Sequence, residues 1–127
     1  MKKKLVIVDD EPSISMIIEL NLSNDYSIES FLEKSQFIEY ANQNAIDALV
    51  LDLNLNGESG KTLIPLIRNG EFEKVNPLIP IVVLSGEDST EEKINCLEDG
   101  ADDYLVKPFN PLELKARMKR IFSRMHG

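Results

Sequence analysis

Only one cysteine and no tryptophan occur in the chain. Cys96 alone cannot close an internal disulfide, and such sparse use fits a reducing compartment better than a bridge-stapled secreted scaffold. Long apolar runs are missing too: none approaches the ~20 residues that a membrane helix needs. After Met1-Lys2-Lys3-Lys4, only four apolar residues precede Asp9-Asp10-Glu11, too short a stretch for a secretory signal. These absences predict a cytoplasmic protein with no membrane partner. Positive charge is the scarcer sign, with 14 basic against 22 acidic residues and a net charge of −8, so the surface repels nucleic-acid backbones unless its cations cluster. They cluster weakly. Lys115, Arg117, Lys119, Arg120 and Arg124 face only Glu113 near the end, leaving the first 109 residues at −12. That tail reads as a solvated helix face with its cations toward the helix C-terminus, and no direct nucleic-acid binding is expected. Internal repeats and low-complexity tracts are absent.

What is present is one domain's worth of chain, residues 1–127 with 43% hydrophobic residues, enough to bury about two thirds of the unfolded surface. Short apolar runs alternate with amphipathic stretches, the pattern of a buried parallel sheet with crossover helices. The runs are Leu5 to Val8, Ala48 to Leu53, Ile79 to Leu84 and Tyr104 to Val106. Tyr26 to Phe31 alternates apolar with polar residues and suits an edge strand. Pro12 opens a helix with Ile14, Ile17, Ile18 and Leu22 on one face. Ser89 with Glu92 forms a capping box, and Gly100 ends that helix in a left-handed conformation. Asn110, Pro111 and Glu113 start a last helix whose stripe is Leu114, Met118, Ile121, Phe122 and Met125. Gly60 to Asn69 should also be helical, with Pro65 kinking it or delaying its start and Gly70 stopping it. Nothing in Gly70 to Pro77 marks it as more than a loop.

Ligands of open α/β sheets bind outside the carboxyl ends of the strands, so the residues that terminate the apolar runs carry the information. They are Asp9-Asp10, Asp52, Ser85 and Lys107-Pro108. Two carboxylates about 4 Å apart repel by roughly 4 kcal/mol at an effective dielectric of 20, so three in one crevice call for a cation. Hard oxygens without histidine or cysteine suit Mg²⁺, which is held by one or two carboxylates plus a phosphate. Lys107 adds a fixed positive charge and Ser85 a hydroxyl donor. The set points to phosphoryl-accepting chemistry on an aspartate.

Four segments resemble receiver domains of two-component response regulators, with the likeness running over essentially the whole chain. They are Val6-Ile7-Val8-Asp9-Asp10-Glu11-Pro12, Leu51-Asp52-Leu53-Asn54-Leu55 with Gly60, Ile81-Val82-Val83-Leu84-Ser85-Gly86, and Gly100-Ala101-Asp102-Asp103-Tyr104-Leu105-Val106-Lys107-Pro108-Phe109. The resemblance implies a flavodoxin-like doubly wound (βα)5 fold with strand order 2-1-3-4-5 and a cis Lys107-Pro108 bond. It implies that Asp52 accepts a phosphoryl group from a histidine kinase or phosphotransfer protein, and that Ser85 and Lys107 contact that group. Asp9, Asp10 and Asp52 with the Asn54 backbone carbonyl would hold Mg²⁺. Ser85 and Tyr104 would form the switch, Tyr104 rotating inward as Ser85 moves toward the phosphate, and Asn54 and Glu87 would tune self-dephosphorylation.

Pro111, Glu113-Leu114, Ala116-Arg117 and Lys119 resemble receivers that precede a winged-helix DNA-binding domain. A phosphorylation-dependent homodimer would then pair Lys93 with Glu113, Asp103 with Arg117 and Asp99 with Lys119 around Ile94 and Leu97. Lys115 would weaken that apolar patch. Two departures from the family pattern stand out: Asn56 where proline is usual, expected to loosen the loop after Asp52, and Gly86 where alanine is common. Other readings fit less well. A haloacid-dehalogenase-type phosphatase needs an acid two residues after its nucleophile, where this chain has Asn54. A flavodoxin-like cofactor binder would have its phosphate repelled by Asp9-Asp10-Glu11. A pseudo-receiver that only binds partners would not need the intact acidic set.

Overall fold

The computed structural model describes residues 1–126, so Gly127 at the end of the expected domain lies outside the described residues. Five strands form one parallel sheet: β1 (Lys3–Val8), β2 (Tyr26–Phe31), β3 (Ala48–Asp52), β4 (Ile81–Ser85) and β5 (Asp103–Val106). Their order across the sheet is β2-β1-β3-β4-β5, the flavodoxin-like arrangement expected from the sequence. Alternate residues of the central strands feed two separate cores, which is why those runs are continuously apolar. Val6, Val8, Leu49, Leu51, Ile81 and Val83 pack with Phe37, Ile64, Ile67 and Cys96 on one face. Leu5, Ile7, Val50, Val82 and Leu84 pack with Ile18, Leu22, Leu114 and Met118 on the other. The outer β2 is mostly uncovered, as its alternation predicted.

The helices are α1 (Pro12–Leu22), α2 (Lys34–Gln43), α3 (Leu63–Arg68), α4 (Thr90–Asp99) and α5 (Pro111–His126). The buried stripe of α1 is Ser15, Ile18 and Leu22, while Ile17 is 41% exposed. Ile17 sits one residue, about 100° of helix rotation, from Ile18, so the expected face was drawn one position too wide. Met125 is likewise exposed at the end of α5. Pro65 does delay its helix: Gly60–Thr62 is a 3₁₀ turn, and α3 starts at Leu63, placing Pro65 in the first turn where no N–H is needed. Gly70 ends it at φ 76°.

Both expected capping boxes are half-formed. Ser89 accepts from the Glu92 N–H and Asn110 from the Leu112 N–H, but the Glu92 carboxylate goes to Ser85 and Tyr104, and that of Glu113 to Arg117. Gly100 closes α4 in the left-handed region at φ 118°. The loop after Gly70 is part of the core, since Phe72 and Val75 are buried and Phe72 meets Phe37 edge-on, centroids 5.9 Å apart. Arg68 at the end of α3 holds this region together. Its guanidinium donates to the carbonyls of Pro77, Ile79 and Gly100 at 2.7 Å and to Asp102 Oδ2 at 3.0 Å. Asp102 also accepts from the Ile81 N–H at 2.8 Å, so one ion pair ties α3, the start of β4 and the turn before β5.

Candidate functional site

Parallel pairing puts the carboxyl ends of β1, β3, β4 and β5 side by side, Val8 opposite Leu51, Asp52 opposite Leu84 and Ser85 opposite Val106. The residues that follow or end these strands therefore meet without any long-range coincidence. Asp9 is fully buried and Asp52 nearly so. Carboxylate oxygens of Asp9, Asp10, Glu11 and Asp52 lie within 4.8 Å of one another. Into this cluster Lys107 brings its ammonium, 2.9 Å from Asp9, 3.2 Å from Asp52 and 3.3 Å from Glu11. The Lys107-Pro108 peptide is cis, as expected, and the Lys107 N–H donates to the Ser85 carbonyl at 2.7 Å.

The electrostatics are lopsided. Burial first, and the neighbouring Asp9 charge second, push the Asp52 carboxyl up to about 6, against the Asn54 N–H bond and Lys107, which favour its ionised form. Lys107 moves up as well: burial opposes its charge, but Asp9 and Asp52 outweigh burial. One cation thus serves three or four carboxylates. Asp9 Oδ2 shows the deficit: fully buried, it has the Lys107 ammonium at 2.9 Å as its partner, and that same ammonium is shared with Asp52 and Glu11. An all-oxygen cluster of four carboxylates with one ammonium among them fits a hard divalent cation such as Mg²⁺.

The segment after Asp52 is more ordered than the sequence suggested. Asn54–Leu55 and Glu58–Ser59 form a small antiparallel hairpin around Asn56-Gly57, both at positive φ (54° and 86°). Positive φ at both central positions is the geometry of the tight two-residue hairpin turns that favour Asn-Gly. The expectation that Asn56 loosens this loop is therefore reversed: proline, fixed near −65°, could not take this conformation. The Asn56 N–H donates to Asp10 Oδ2 at 3.1 Å, and the Asn54 side chain accepts from the Gly57 N–H. Gly60 then passes so close to Asp52 that a Cβ there would collide with the Asp52 carbonyl oxygen.

The sequence matches the response regulator receiver domain family over residues 5–119. The chain belongs to that family. It is 40% identical over 120 residues to the regulatory protein VanR of Enterococcus faecium, covering 94% of this chain and 49% of VanR. The structure of response regulator DrrB of Thermotoga maritima, an OmpR/PhoB homologue, superposes with a TM-score of 0.87 at 30% identity, over 98% of this chain and 54% of DrrB. A response regulator of Burkholderia pseudomallei, solved with a phosphorylated aspartic acid and a calcium ion, gives 0.80 at 25% identity, over 98% of this chain and 71% of that one. The chain thus spans about half the length of VanR and DrrB. Among the described residues, no helix is long and apolar enough to cross a membrane.

The two side chains expected to form this receiver's switch, Ser85 and Tyr104, meet at one carboxylate. Tyr104 is buried, 5% exposed, with its one hydroxyl proton shared between two acceptors at 2.9 Å, the Glu87 carbonyl and Glu92 Oε1. Burial, and then the Glu92 carboxylate, push the Tyr104 phenol up to about 12. Ser85 donates to the same Glu92 oxygen at 2.9 Å and accepts from the Glu87 N–H at 3.1 Å.

Several residues expected at the dimer face also have partners within the chain. Arg117 reaches Asp103 (2.8 Å) and Glu113 (2.8 Å) within the chain, and Asp99 lies 3.7 Å from Lys61. Lys115 is drawn to Asp25 at 3.0 Å, beside the start of β2, and so is held by a partner away from Ile94 and Leu97. Those two remain 47% and 40% exposed. Sequence reasoning missed Glu92, Glu11 and Arg68. Glu92 was absorbed into a capping signal, Glu11 was legible as the third member of an acidic run, and Arg68 carried no signal because its partners are three backbone carbonyls and Asp102, 34 residues away.

Proposed function

We propose that this receiver accepts a phosphoryl group on Asp52 from a histidine kinase or phosphotransfer protein in the cytoplasm, and that the modification alters the face formed by α4, β5 and α5. The observation that carries this reading is the buried Asp52 carboxylate held 3.2 Å from Lys107, at the edge of an acidic cluster short of cations. At neutral pH a carboxyl with a pKa of about 6 is mostly ionised and can attack phosphorus. An Asp52 oxygen forms the new P–O bond as the P–N bond to the donor histidine breaks, and the imidazole leaves. Lys107 then faces the added charge, and Ser85 offers its hydroxyl to a phosphoryl oxygen. Asp9, Asp10, Asp52 and the Asn54 carbonyl would hold Mg²⁺, which neutralises charge on the phosphoryl oxygens when bound.

Hydrolysis reverses the gain: water attacks phosphorus, the acyl phosphate P–O bond breaks, and Asp52 is regenerated with release of inorganic phosphate. Asn54 and Glu87, both exposed at the rim, flank that approach and would orient the water. The chain therefore acts on itself and not as an enzyme on other substrates. Because it covers only about half of VanR and DrrB, the output is assigned to an effector region beyond the receiver, with a homodimer through Ile94 and Leu97 relaying the change. Incubation with acetyl phosphate and Mg²⁺ followed by intact-mass spectrometry tests the reading. A gain of about 80 Da, one phosphoryl group, is expected in the wild type. A gain that persists in Asp52→Asn, or that forms in EDTA, would overturn it.

A further inference from the structure

Two hydroxyls converge on one oxygen of Glu92, Ser85 with its one proton and Tyr104 with a proton it divides between Glu92 and the Glu87 carbonyl. Ser85 Oγ and Tyr104 Oη each donate to Glu92 Oε1 at 2.9 Å, from the end of β4 and from β5 respectively. A carboxylate oxygen has two acceptor sites, so both bonds can be made at once. Ser85, however, has only one proton. While Glu92 holds it, Ser85 Oγ can accept, as it does from the Glu87 N–H at 3.1 Å, but cannot donate to a phosphoryl oxygen. The role proposed for Ser85 requires that proton to be aimed toward Asp52.

We infer that Glu92 is a positioning residue that competes with the Asp52 phosphoryl group for the Ser85 hydroxyl proton, and so restrains phosphorylation until that bond is exchanged. This rests on the reading of Ser85 as a phosphoryl contact. The exchange replaces one charge-assisted hydrogen bond by another, so what phosphorylation gains from Ser85 is a difference between two acceptors rather than a full bond. Glu92 is also the third residue of α4 and retains Tyr104 after Ser85 leaves. Release of the serine therefore changes the bonding of a side chain carried by the helix that bears Ile94 and Leu97.

The test is the rate of phosphorylation by acetyl phosphate with Mg²⁺, read by intact mass, in the wild type, Glu92→Ala, Glu92→Gln, Ser85→Ala and the Ser85→Ala, Glu92→Ala double variant. Glu92→Ala should be faster by about tenfold, the worth of one hydrogen bond. Glu92→Gln keeps an acceptor oxygen at the same reach but without the charge, and should fall between the wild type and Glu92→Ala. In the Ser85→Ala background, removing Glu92 should change nothing, because no serine proton remains to compete for. If Glu92→Ala fails to fold by circular dichroism, Glu92→Asp replaces it, since its carboxylate is one methylene short and should accelerate in the same way. A wild-type rate for the folded variant, or equal acceleration with and without Ser85, would overturn the inference alone. A Ser85→Ala, Glu92→Ala double variant phosphorylated as fast as Glu92→Ala alone would instead overturn the role of Ser85, and the inference with it.

Discussion

Replacing Asp52 by asparagine should make the metal-free protein more stable. The carboxyl that has a pKa near 3.8 in the unfolded chain is held at about 6 in the fold, by burial and then by Asp9. The sign follows from proton counting: between those values the folded state binds more protons, so stability falls as pH rises from about 4 to about 6 and stays low above that. A shift of roughly two units corresponds to about 3 kcal/mol. Coupling to Asp9 and solvent screening reduce this, and about 1 to 2 kcal/mol is expected at pH 7.5. Asparagine removes the charge, keeps an oxygen for the Asn54 N–H, and leaves Lys107 with Asp9 and Glu11. Urea unfolding in EDTA gives the comparison, and the advantage of Asp52→Asn should shrink to about half at pH 5. Mg²⁺ should narrow the gap, since it stabilises the state that holds more carboxylates. A variant less stable than the wild type at pH 7.5, or an advantage that does not change with pH, would refute the reasoning.

Four further outcomes can be checked directly. Asp10→Asn should abolish Mg²⁺ binding by calorimetry, and an unchanged affinity would move the metal site elsewhere. The Asn54→Met, Glu87→Lys double variant should release phosphate about tenfold more slowly after donor removal, roughly 1.4 kcal/mol of barrier; equal release would mean that neither residue guides the water. Arg68→Ala should cost about 3 kcal/mol or more in urea unfolding, because three carbonyls and Asp102 lose their donors. Light scattering of the beryllofluoride complex should show a dimer only at high micromolar concentration, since surface ion pairs contribute about 0 to 1 kcal/mol each; a monomer throughout would remove the dimer.

The placement of Asp9, Asp52, Ser85 and Lys107 was legible because each depends on a local pattern, an apolar run and the residue that ends it, whereas the strand order came from the resemblance to receiver domains. Where two side chains compete for one partner, the sequence was silent. Glu92 satisfies a capping motif on paper, and only the packing of α4 against β4 and β5 shows that two hydroxyls claim it first. The same holds for Arg117, whose guanidinium finds Asp103 and Glu113 in its own chain before any second copy arrives. Asn56 was misread for a different reason: departure from the family's usual proline was taken as a loss of rigidity, whereas Asn-Gly specifies a turn that proline cannot enter.

That turn has a consequence for engineering. Restoring a family's common residue is ordinarily a safe route to a sturdier protein, yet here Asn56→Pro would remove the N–H that holds Asp10 Oδ2 and impose a φ of the wrong sign. The hairpin and the Asp10 carboxylate would be disturbed by a single exchange. Any redesign of this receiver toward its relatives therefore has to treat positions 10, 56 and 57 as one inherited unit, exchanged together or left alone.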